Sequence, residues 1–318
     1  MRKINRTRVL AVVGPTASGK TKLGAELAER FDGEIVSADS MQIYRFLSIS
    51  TARPTEEEMR GVPHHLIGFL DPDESYSVAR YLEDARRTIG EIVSRGKTPI
   101  LVGGTGLYVS SLLDGIHFSE EKSDPMLRSA LQKEAAAVGG EEMLRRLSEI
   151  DPEYAAGLHP NNMGRVLRAL ELYCSTGITM TEQRRRSREI PSEFDPLMIG
   201  VDYADRQKLY DRVHLRVEQM VRQGLVEEAK AFYEKFPNAP TCAQAIGCKE
   251  LLPYLRGESP LETCLDRLRM ETRRYAKRQR TWFRSDKRIR WFYPDIYPDE
   301  GSFLRDVAAF VEENRLIG

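Results

Sequence analysis

The segment Gly14–Thr21, GPTASGKT, constrains the fold more than any other stretch of the chain. It fits the phosphate-binding pattern G-x-x-x-x-G-K-[ST] at each fixed position. The apolar run Val9–Val13 precedes it and predicts a buried strand, while the amphipathic stretch Lys20–Arg30 that follows predicts a helix. In this strand–loop–helix context, backbone amides and the positive end of the helix cradle an anion. The sequence therefore predicts an α/β fold that binds phosphate groups.

The residues of this loop have separate expected tasks at a bound phosphate. Lys20 brings a positive charge, and the hydroxyl group of Thr21 offers a ligand to Mg²⁺. The other expected phosphate contacts come from Gly14, Thr16, Ala17, Ser18 and Gly19. A glycine-rich turn without a chemical role is the alternative. The motif does not specify the reaction, because phosphate-binding loops of this kind serve many chemistries.

The spacing of apolar residues predicts the order of strands and helices around the loop. Strands are predicted at Val9–Val13, Glu34–Ser37 and Pro99–Val102, with a helix at Val78–Arg95. This alternation predicts a parallel sheet covered by helices. The pattern changes around Ser119–Pro125, is helical from Asp124 to about Arg188, and a short apolar strand returns at Leu197–Val201.

We therefore predict an α/β fold with two parts. A parallel-sheet core like that of P-loop NTPases spans 1–118 and resumes at 196–318, where it is mostly helical. An all-helical domain at 119–195 is inserted between these segments. No stretch approaches the length of a transmembrane helix, and the apolar run near the N-terminus is too short for a signal peptide. The four cysteines form no C-x-x-C pair, so we expect reduced thiols in a cytoplasmic protein.

Positive charge is concentrated in two segments, although the chain as a whole is neutral, with 48 basic and 48 acidic residues. The segment Arg267–Arg290 holds eleven basic and two acidic residues. Four of the basic ones share one face of a helix: Arg273, Lys277, Arg280 and Arg284. Such a row suits the phosphate backbone of a nucleic acid, with a merely solvated face as the alternative. A second cluster, also nearly uncompensated, is formed by Arg165, Arg168 and residues 184–188.

Polar residues follow the second and third predicted strands, where a parallel sheet places its binding crevice. Asp39 comes soon after the second strand, so its carboxylate can bind Mg²⁺ through water or accept a proton. Capping the next turn is a compatible alternative for Asp39 or Ser40. The third strand runs into Gly103-Gly104, which allows a bulky group to come close, and Thr105 offers a hydroxyl group there.

Two further features bear on a metal site. Asp202, after the strand at Leu197–Val201, is a second candidate for the carboxylate that holds Mg²⁺ in many NTPases. His64 and His65 are adjacent, and adjacent side chains of a strand point to opposite sides. We therefore expect a structural or substrate-facing role for the histidines and no metal between them.

Nine short segments, taken in order, make the chain resemble the tRNA dimethylallyltransferase family, also called tRNA isopentenyltransferases, in its bacterial form. They are GPTASGKT at Gly14–Thr21, SADSMQIYR at Ser37–Arg45, TARP at Thr51–Pro54, VPHHLIG at Val62–Gly68, DPDESYSVARY at Asp71–Tyr81, VGGTGLY at Val102–Tyr108, RALELY at Arg168–Tyr173, AIGCKE at Ala245–Glu250 and TRRYAKRQRTWFR at Thr272–Arg284. The first segment is widespread, whereas its combination with DSMQ, GGTGLY and KRQRTWFR is specific. The resemblance spans roughly residues 9–284.

The resemblance implies a P-loop core with an inserted helical domain and a particular reaction. A dimethylallyl group moves from dimethylallyl diphosphate to N6 of the adenosine just 3′ of the anticodon in tRNA. Asp39 is then the general base or hydrogen-bond acceptor for the amine, while Lys20, Thr21 and Mg²⁺ hold the diphosphate. Arg216 also reaches the diphosphate, with Arg212 as the near alternative. The competing hypotheses are a P-loop kinase or NTPase acting on a small metabolite or nucleotide, and a non-catalytic RNA-binding protein.

The resemblance also implies where tRNA is contacted. The residues expected around the flipped adenosine are Asp39, Ser40, Met41, Gln42 and Thr105. In the inserted domain, the anticodon stem-loop is expected to meet Arg128, Arg165 and Arg168, and further contacts are expected from Gln244 and Lys249. The charge pattern adds Arg273, Lys277 and Arg284. Gln244 and Cys248 depart from the family pattern, which often has arginine and an aromatic residue there. We expect a monomer without a membrane partner.

Overall fold

The structure is a computed structural model in which residues 6–116, 124–239 and 241–314 are described. It divides into two compact units. The core unit comprises Met1–Leu113 and Glu193–Gly318, and the helical unit comprises Asp114–Ser192. The first expected boundary, after 118, lies outside the described residues, and the second, after 195, lies three residues beyond the end of the helical unit at Ser192. The second expected boundary would cut a strand that begins at Phe194, so the helical unit ends before it.

The core unit contains one parallel sheet with the strand order β3-β2-β4-β1-β5-β6. Its strands within the described residues are β1 Thr7–Val13, β2 Gly33–Ser37, β3 His64–His65, β4 Thr98–Gly103, β5 Phe194–Val201 and β6 Ile289–Phe292. Val13 in β1 lies opposite Gly103 in β4 and Gly200 in β5. The carboxyl ends of these strands meet at one edge of the sheet, which brings together the loops that follow them.

The helices surround this sheet or form the helical unit. In the described ranges they are α1 Lys20–Arg30, α2 Glu56–Met59, α3 Val78–Ser94, α4 Gly106–Leu113, α5 Pro125–Ile150, α6 Pro152–Ala156, α7 Met163–Thr176, α8 Met180–Glu189, α9 Arg206–Arg222, α10 Leu225–Lys235, α11 Leu252–Leu255, α12 Leu261–Arg284 and α13 Glu300–Glu313. None of these helices combines the length and the apolar composition needed to cross a bilayer.

The predicted α/β class is confirmed, and all four predicted strands are present as β1, β2, β4 and β5, each longer by one to three residues. The prediction lacked β3 and β6. Both lie at the edges of the sheet, and neither shows the apolar run of a central parallel strand. β3 has two residues, both histidines, and β6 contains the charged and exposed Arg290.

Helix α1 packs on the sheet through small and branched apolar residues. Leu23 and Leu27 are buried in the main core of this unit, and each contributes roughly 2 kcal/mol of burial energy. Gly24 lies against β4, because a Cβ atom at this position would come within 2.6 Å of Cγ2 of Val102. This close packing holds the first turn of α1 at the edge of the sheet, directly after the phosphate-binding loop.

The helical unit has a core of its own. Its apolar centre joins α5, α6 and α7 and includes Met143, Leu147, Val166 and Leu170. Asp151 is buried beside this core and caps α6 by accepting a hydrogen bond from the amide of Tyr154 at 3.2 Å. The same carboxylate accepts hydrogen bonds from the amide and the hydroxyl group of Thr181 in α8. The unit therefore holds its helices together through apolar burial and one shared carboxylate.

Candidate active site

The loop between β1 and α1 has the tight backbone path that its glycines predict. Gly14 has φ of +153°, and a Cβ atom there would lie 2.2 Å from the carbonyl oxygen of Val201 in β5. Gly19 precedes α1 with φ of +95°. The amides of the first turn of α1 have no partner within the helix and remain available for an anion. The Ser18 hydroxyl group is buried, and no described residue is its hydrogen-bond partner.

A cavity of about 270 Å³ opens beside this loop. Its walls come from the phosphate-binding loop, the turn after β2, α9, α12 and the segment before α11. The predicted site residues among its walls are Thr16, Lys20, Thr21, Asp39, Ser40, Met41, Gln42, Arg216, Gln244 and Lys249. Residues that are far apart in the sequence therefore meet in one concave site, which is the usual form of a substrate pocket.

Asp39 is held by the turn that follows β2. Its Oδ1 atom accepts hydrogen bonds from the amides of Met41 at 2.9 Å and Gln42 at 3.3 Å. Its Oδ2 atom has no hydrogen bond to the described part of the chain. The turn-capping role and the chemical role expected of Asp39 are thus compatible, because they use different oxygens.

Lys20 and Arg216 line the cavity with Asp39 and interact electrostatically with it. Burial, and next the Arg216 guanidinium, lower the pKa of Lys20 to about 8, although the Asp39 carboxylate acts in the opposite direction. Burial also lowers the pKa of Arg216. Two partly buried cations face one carboxylate here, so an anionic ligand would stabilise the charged form of both.

Arg212 and Arg216 occupy different positions, although both lie on α9. Arg216 lines the cavity. The Nε atom of Arg212 donates a hydrogen bond to the carbonyl oxygen of Ala17 at 3.0 Å, and its guanidinium lies over the ring of Tyr203. Of the two alternatives, Arg216 is therefore the residue placed to meet a ligand, whereas Arg212 supports the phosphate-binding loop from outside.

Gly103, the last residue of β4, lines the cavity, so the expectation that these glycines make room for a ligand stays a prediction, and both Gly103 and Gly104 also lie close to other parts of the protein. A Cβ atom at Gly103 would lie 2.2 Å from the carbonyl oxygen of Ala38, and one at Gly104 would lie 2.1 Å from Nε2 of Gln279. Thr105, expected to contact the adenosine, is not a wall of the cavity. Its Oγ1 atom accepts a hydrogen bond from the amide of Ser40 at 3.0 Å and so supports the turn that carries Asp39.

Gln279 in α12 is a site residue that the sequence did not reveal. It is 5% exposed. Its Oε1 atom accepts a hydrogen bond from the amide of Thr16 at 2.8 Å, and its Nε2 atom donates one to the carbonyl oxygen of Gly104 at 2.9 Å. The only signal in the sequence is an uncharged residue within the basic run, and the charge of that run does not single it out.

Glu228 in α10 is a second unpredicted residue, and it fixes the loop that follows the Asp39 turn. Its carboxylate accepts hydrogen bonds from three consecutive amides, those of Ser48, Ile49 and Ser50, each at 2.8 Å. Gln42 holds the next residues of this loop by donating to the carbonyl oxygens of Thr51 and Ala52. Ser50 and Thr51 are walls of the cavity, so Glu228 fixes the position of this wall without lining the cavity itself.

The two histidines divide the roles that were expected of them. His65 Nε2 lies 2.6 Å from the Glu34 carboxylate, which is a structural contact. His64 lines the cavity, and its Nδ1 atom lies within hydrogen-bonding distance, 2.9 Å, of the carbonyl oxygen of Val62. Burial lowers the pKa of His64, so this ring is neutral at pH 7. Its buried Nε2 atom has no partner among the described residues.

The basic residues of α12 lie on two opposite faces. Arg278, which was not predicted as a site residue, lines the cavity together with Tyr275 and Gln279. On the other face is a second cleft of about 180 Å³ between α9 and α12, lined by Arg206, Tyr210, Lys277, Arg280, Thr281 and Arg284. Arg273 lies over the ring of Tyr210 beside it. The predicted row of cations therefore faces away from the cavity that holds Asp39.

Carboxylates compensate part of this charge, which corrects the expectation of nearly bare basic clusters. Asp202, 0% exposed, accepts hydrogen bonds from Arg280 at 2.7 Å and Arg284 at 3.4 Å. Asp202 is therefore engaged with arginines and is not a wall of the cavity that Thr21 and Asp39 line. In α8, Glu182 binds both Arg185 and Arg186, at 2.8 and 2.6 Å.

In the helical unit, two of the three predicted RNA contacts are also paired. Arg128 and Arg168 lie 3.2 and 3.3 Å from the same carboxylate oxygen of Glu171, which is 2% exposed. Their side chains remain 51% and 43% exposed. Arg165 is exposed on the same helix as Arg168. Arg128 in α5 and Arg168 in α7 therefore meet at the buried Glu171, and Arg165 lies one turn before Arg168 on α7.

The oxygen atoms of the cavity are suited to Mg²⁺. Thr21 and Asp39 both line it, and the Oδ2 atom of Asp39 makes no hydrogen bond to a described residue. Among those residues, no group of three or more His, Cys, Asp and Glu side chains could hold a metal alone. Mg²⁺ commonly binds through one or two protein oxygens together with substrate phosphates, so the residues present fit such a site.

Comparison with known protein families gives two matches. The family model described as "IPP transferase" matches residues 42–286, and the one described as "Isopentenyl transferase" matches residues 7–67. The chain is 45% identical over 296 residues to the tRNA dimethylallyltransferase of Caldanaerobacter subterraneus subsp. tengcongensis, covering 91% of this chain and 93% of that protein. It is 47% identical over 287 residues to the tRNA dimethylallyltransferase of Halalkalibacterium halodurans, covering 90% and 91%.

Solved structures show the same similarity. The full-length tRNA isopentenylpyrophosphate transferase from Bacillus halodurans aligns with a TM-score of 0.73 at 42% identity, covering 98% of this chain and 97% of that one. A eukaryotic dimethylallyltransferase acting on tRNA aligns with a TM-score of 0.80 at 30% identity, covering 96% and 80%. Both alignments include nearly all of the chain described above.

Proposed function

This chain belongs to the tRNA dimethylallyltransferase family, and on that premise we propose the reaction that it catalyses. It transfers a dimethylallyl group from dimethylallyl diphosphate to N6 of the adenosine immediately 3′ of the anticodon in tRNA. The observation that supports this best is the single cavity in which Lys20, Arg216 and Asp39 meet. Cations suit a departing diphosphate, and a carboxylate suits an amine that must lose a proton.

The diphosphate leaves with the electron pair of the bond to the allylic carbon, and its charge grows as it departs. The loop amides, Lys20 and Arg216 neutralise that charge, and such electrostatic stabilisation usually contributes most to the acceleration of reactions of this kind. Mg²⁺ held by Thr21 would supply further neutralisation at the same oxygens. The burial that lowers the pKa of Lys20 also strengthens its attraction to the ligand, because water no longer screens it.

The amine forms the new bond to the allylic carbon. The exocyclic nitrogen of adenine is a poor nucleophile, because its lone pair is delocalised into the ring. The Oδ2 atom of Asp39 accepts its N–H and takes the proton as the carbon–nitrogen bond forms. The amides of Met41 and Gln42 hold Oδ1, so the carboxylate is oriented before the substrate arrives.

The dimethylallyl group needs an apolar surface next to the cations. We assign it to a patch of cavity walls formed by Val217, Met220, Ile246 and Leu268. Met220 lies one helical turn after Arg216 on α9, so the patch adjoins the guanidinium assigned to the diphosphate. Such walls also exclude water, which would otherwise capture the reactive carbon.

The adenosine must leave the anticodon loop to enter this cavity, and proteins read RNA mostly in such unpaired loops. We propose that Ser40, Met41, Gln42, Gln244 and Lys249 surround the flipped nucleotide. Arg278 at the cavity and Lys277 in the cleft are placed to meet the RNA backbone on either side of α12. We further propose that Arg165 meets the anticodon stem, and that the protein acts as a monomer in the cytoplasm.

The test uses purified protein, tRNA transcripts and labelled donors. We expect label from dimethylallyl diphosphate to enter tRNA, and none to enter a transcript with guanosine in place of the adenosine 3′ of the anticodon. Hydrolysis of ATP or transfer of its phosphate, without any prenylated tRNA, would replace this proposal with a P-loop kinase or NTPase.

An Asp39→Asn variant separates the enzyme from a non-catalytic RNA-binding protein. Asparagine keeps an oxygen for the turn but is not a base, so we expect turnover to fall by about 10²-fold or more. The Kd for tRNA should stay within about twofold of the wild-type value. Unchanged turnover in this variant would remove Asp39 from the mechanism.

A further inference from the structure

Gln279 joins the two loops that form one end of the cavity. Thr16 belongs to the phosphate-binding loop, Gly104 belongs to the loop after β4, and Gln279 is hydrogen-bonded to both through opposite atoms of its amide. The side chain is almost fully buried, so rotating it would leave two backbone groups without partners. Its position is therefore fixed.

The side chain of Gln279 has close neighbours in Gly104 and Tyr275. Gly104 has no Cβ atom, and one placed there would lie 2.1 Å from the Nε2 atom of Gln279. The Tyr275 hydroxyl group, one turn earlier on α12, lies near enough to interact with both Thr105 and Gln279. Glycine is thus needed at 104, because a larger residue would clash with the side-chain amide of Gln279.

The backbone N–H that Gln279 binds is that of Thr16. It lies in the part of the phosphate-binding loop before α1, which we call the outer part. Lys20 and Thr21 begin α1, whereas Thr16 lies four residues before the helix. In such loops the backbone amides cradle the inner phosphates and the lysine reaches the outer ones. A third phosphate, extending beyond Lys20, would need donors from the outer part of the loop. Here the Thr16 N–H is already used, and the oxygen that uses it repels an anion.

We propose that Gln279 is a specificity-determining residue that limits the site to two phosphates. It lets a diphosphate bind at the helix end of the loop and disfavours a triphosphate such as that of ATP. This inference deepens the proposed function, because it gives the phosphate-binding loop a reason to select a prenyl diphosphate in a cell rich in nucleoside triphosphates. If Gln279 only held α12 against the loop, its replacement would change the affinities for diphosphate and triphosphate by the same factor.

Inorganic pyrophosphate and tripolyphosphate distinguish these roles, because they differ in phosphate number and carry no organic group. Their Kd values are measured by calorimetry at fixed free Mg²⁺ on the full-length protein. In Gln279→Ala the Thr16 amide becomes available, and we expect the ratio of the tripolyphosphate Kd to the pyrophosphate Kd to fall by about tenfold. Gly104→Ala places a Cβ atom where the side-chain amide of Gln279 lies, so it displaces that side chain and should lower the ratio as well. The exposed Gln223→Ala, the same change at the end of α9, is the matched control.

A ratio that stays at the wild-type value in both Gln279→Ala and Gly104→Ala overturns the proposal and leaves Gln279 as a brace. If Gln279→Ala does not fold, as judged by circular dichroism, the ratio in Gly104→Ala decides. The measurement needs no turnover. A failure to prenylate tRNA would therefore refute the proposed reaction without affecting this result, and the two outcomes remain separate.

Discussion

The protonation of Lys20 should control how the enzyme takes up its diphosphate substrate. Burial lowers the pKa of this ammonium group to about 8, from an ordinary value of 10.5. Below pH 8 the group is charged and can bind the diphosphate. Above it the free enzyme loses the charge, and at pH 9 only about a tenth of the molecules retain it. We expect kcat/KM for dimethylallyl diphosphate to be level near pH 7 and to fall about tenfold per pH unit above pH 8.5.

The buried thiols and His64 do not account for such a fall. Burial raises the pKa of Cys242 to about 11 and that of Cys248 to about 12, so these thiols stay protonated over the whole range. His64 titrates below its ordinary value of 6.5, because burial lowers its pKa. The comparison with a Lys20 variant therefore decides whether the fall reports on Lys20.

The assay is initial-rate kinetics at saturating tRNA from pH 7 to pH 9.5, with labelled dimethylallyl diphosphate as the varied substrate. Lys20→Arg supplies the comparison, because a guanidinium stays charged throughout this range. Its activity will be lower, but its pH profile should be level. A level wild-type profile up to pH 9.5, or a fall that persists in Lys20→Arg, would refute the reasoning.

Three further predictions concern residues that are not walls of the cavity. Glu228→Gln keeps the size of the side chain but loses the charge that three amides share; we expect KM for tRNA to rise several-fold and thermal stability to drop, both measurable on one preparation. Asp202→Ala leaves Arg280 partly buried without its carboxylate and should lower the free energy of unfolding by about 3 kcal/mol in urea titrations, and a change below about 1 kcal/mol would argue against this pairing. Lys277→Ala should lower the slope of log Kd for tRNA against log salt by about one, whereas Lys230→Ala on α10 should leave it unchanged; equal slopes in all three proteins would show that the cleft does not meet RNA.

The sequence predicted those parts of the site that depend on local order. The phosphate-binding loop connects β1 to α1 within a few residues, so motif and spacing were sufficient to locate it. Asp39 could be placed because residues that follow parallel strands gather at one edge of the sheet. The central strands were visible because burial on both faces requires continuous apolar runs, whereas the edge strands β3 and β6 do not need them.

The missed contacts join residues that are distant in the sequence. The bond between Thr16 and Gln279 spans 263 positions, and the bonds from Glu228 to the loop at 48–50 span about 180. Nothing in local composition shows which backbone amides such side chains will meet. The pairing of Arg280 with Asp202 was hidden for the same reason. By contrast, Glu182 lies within one helical turn of Arg185 and Arg186, so that compensation could have been predicted from spacing alone.

In the proposed reaction, the phosphate-binding loop holds a diphosphate as it leaves a prenyl carbon while Asp39 takes the proton from the adenosine amine. Nucleoside mass spectrometry of tRNA, after incubation with the purified protein and dimethylallyl diphosphate, tests it most directly. We expect one dimethylallyl group per tRNA, on N6 of the adenosine 3′ of the anticodon, with one diphosphate released for each group transferred. If tRNA stays unmodified in the presence of folded protein and dimethylallyl diphosphate, the proposed reaction is wrong.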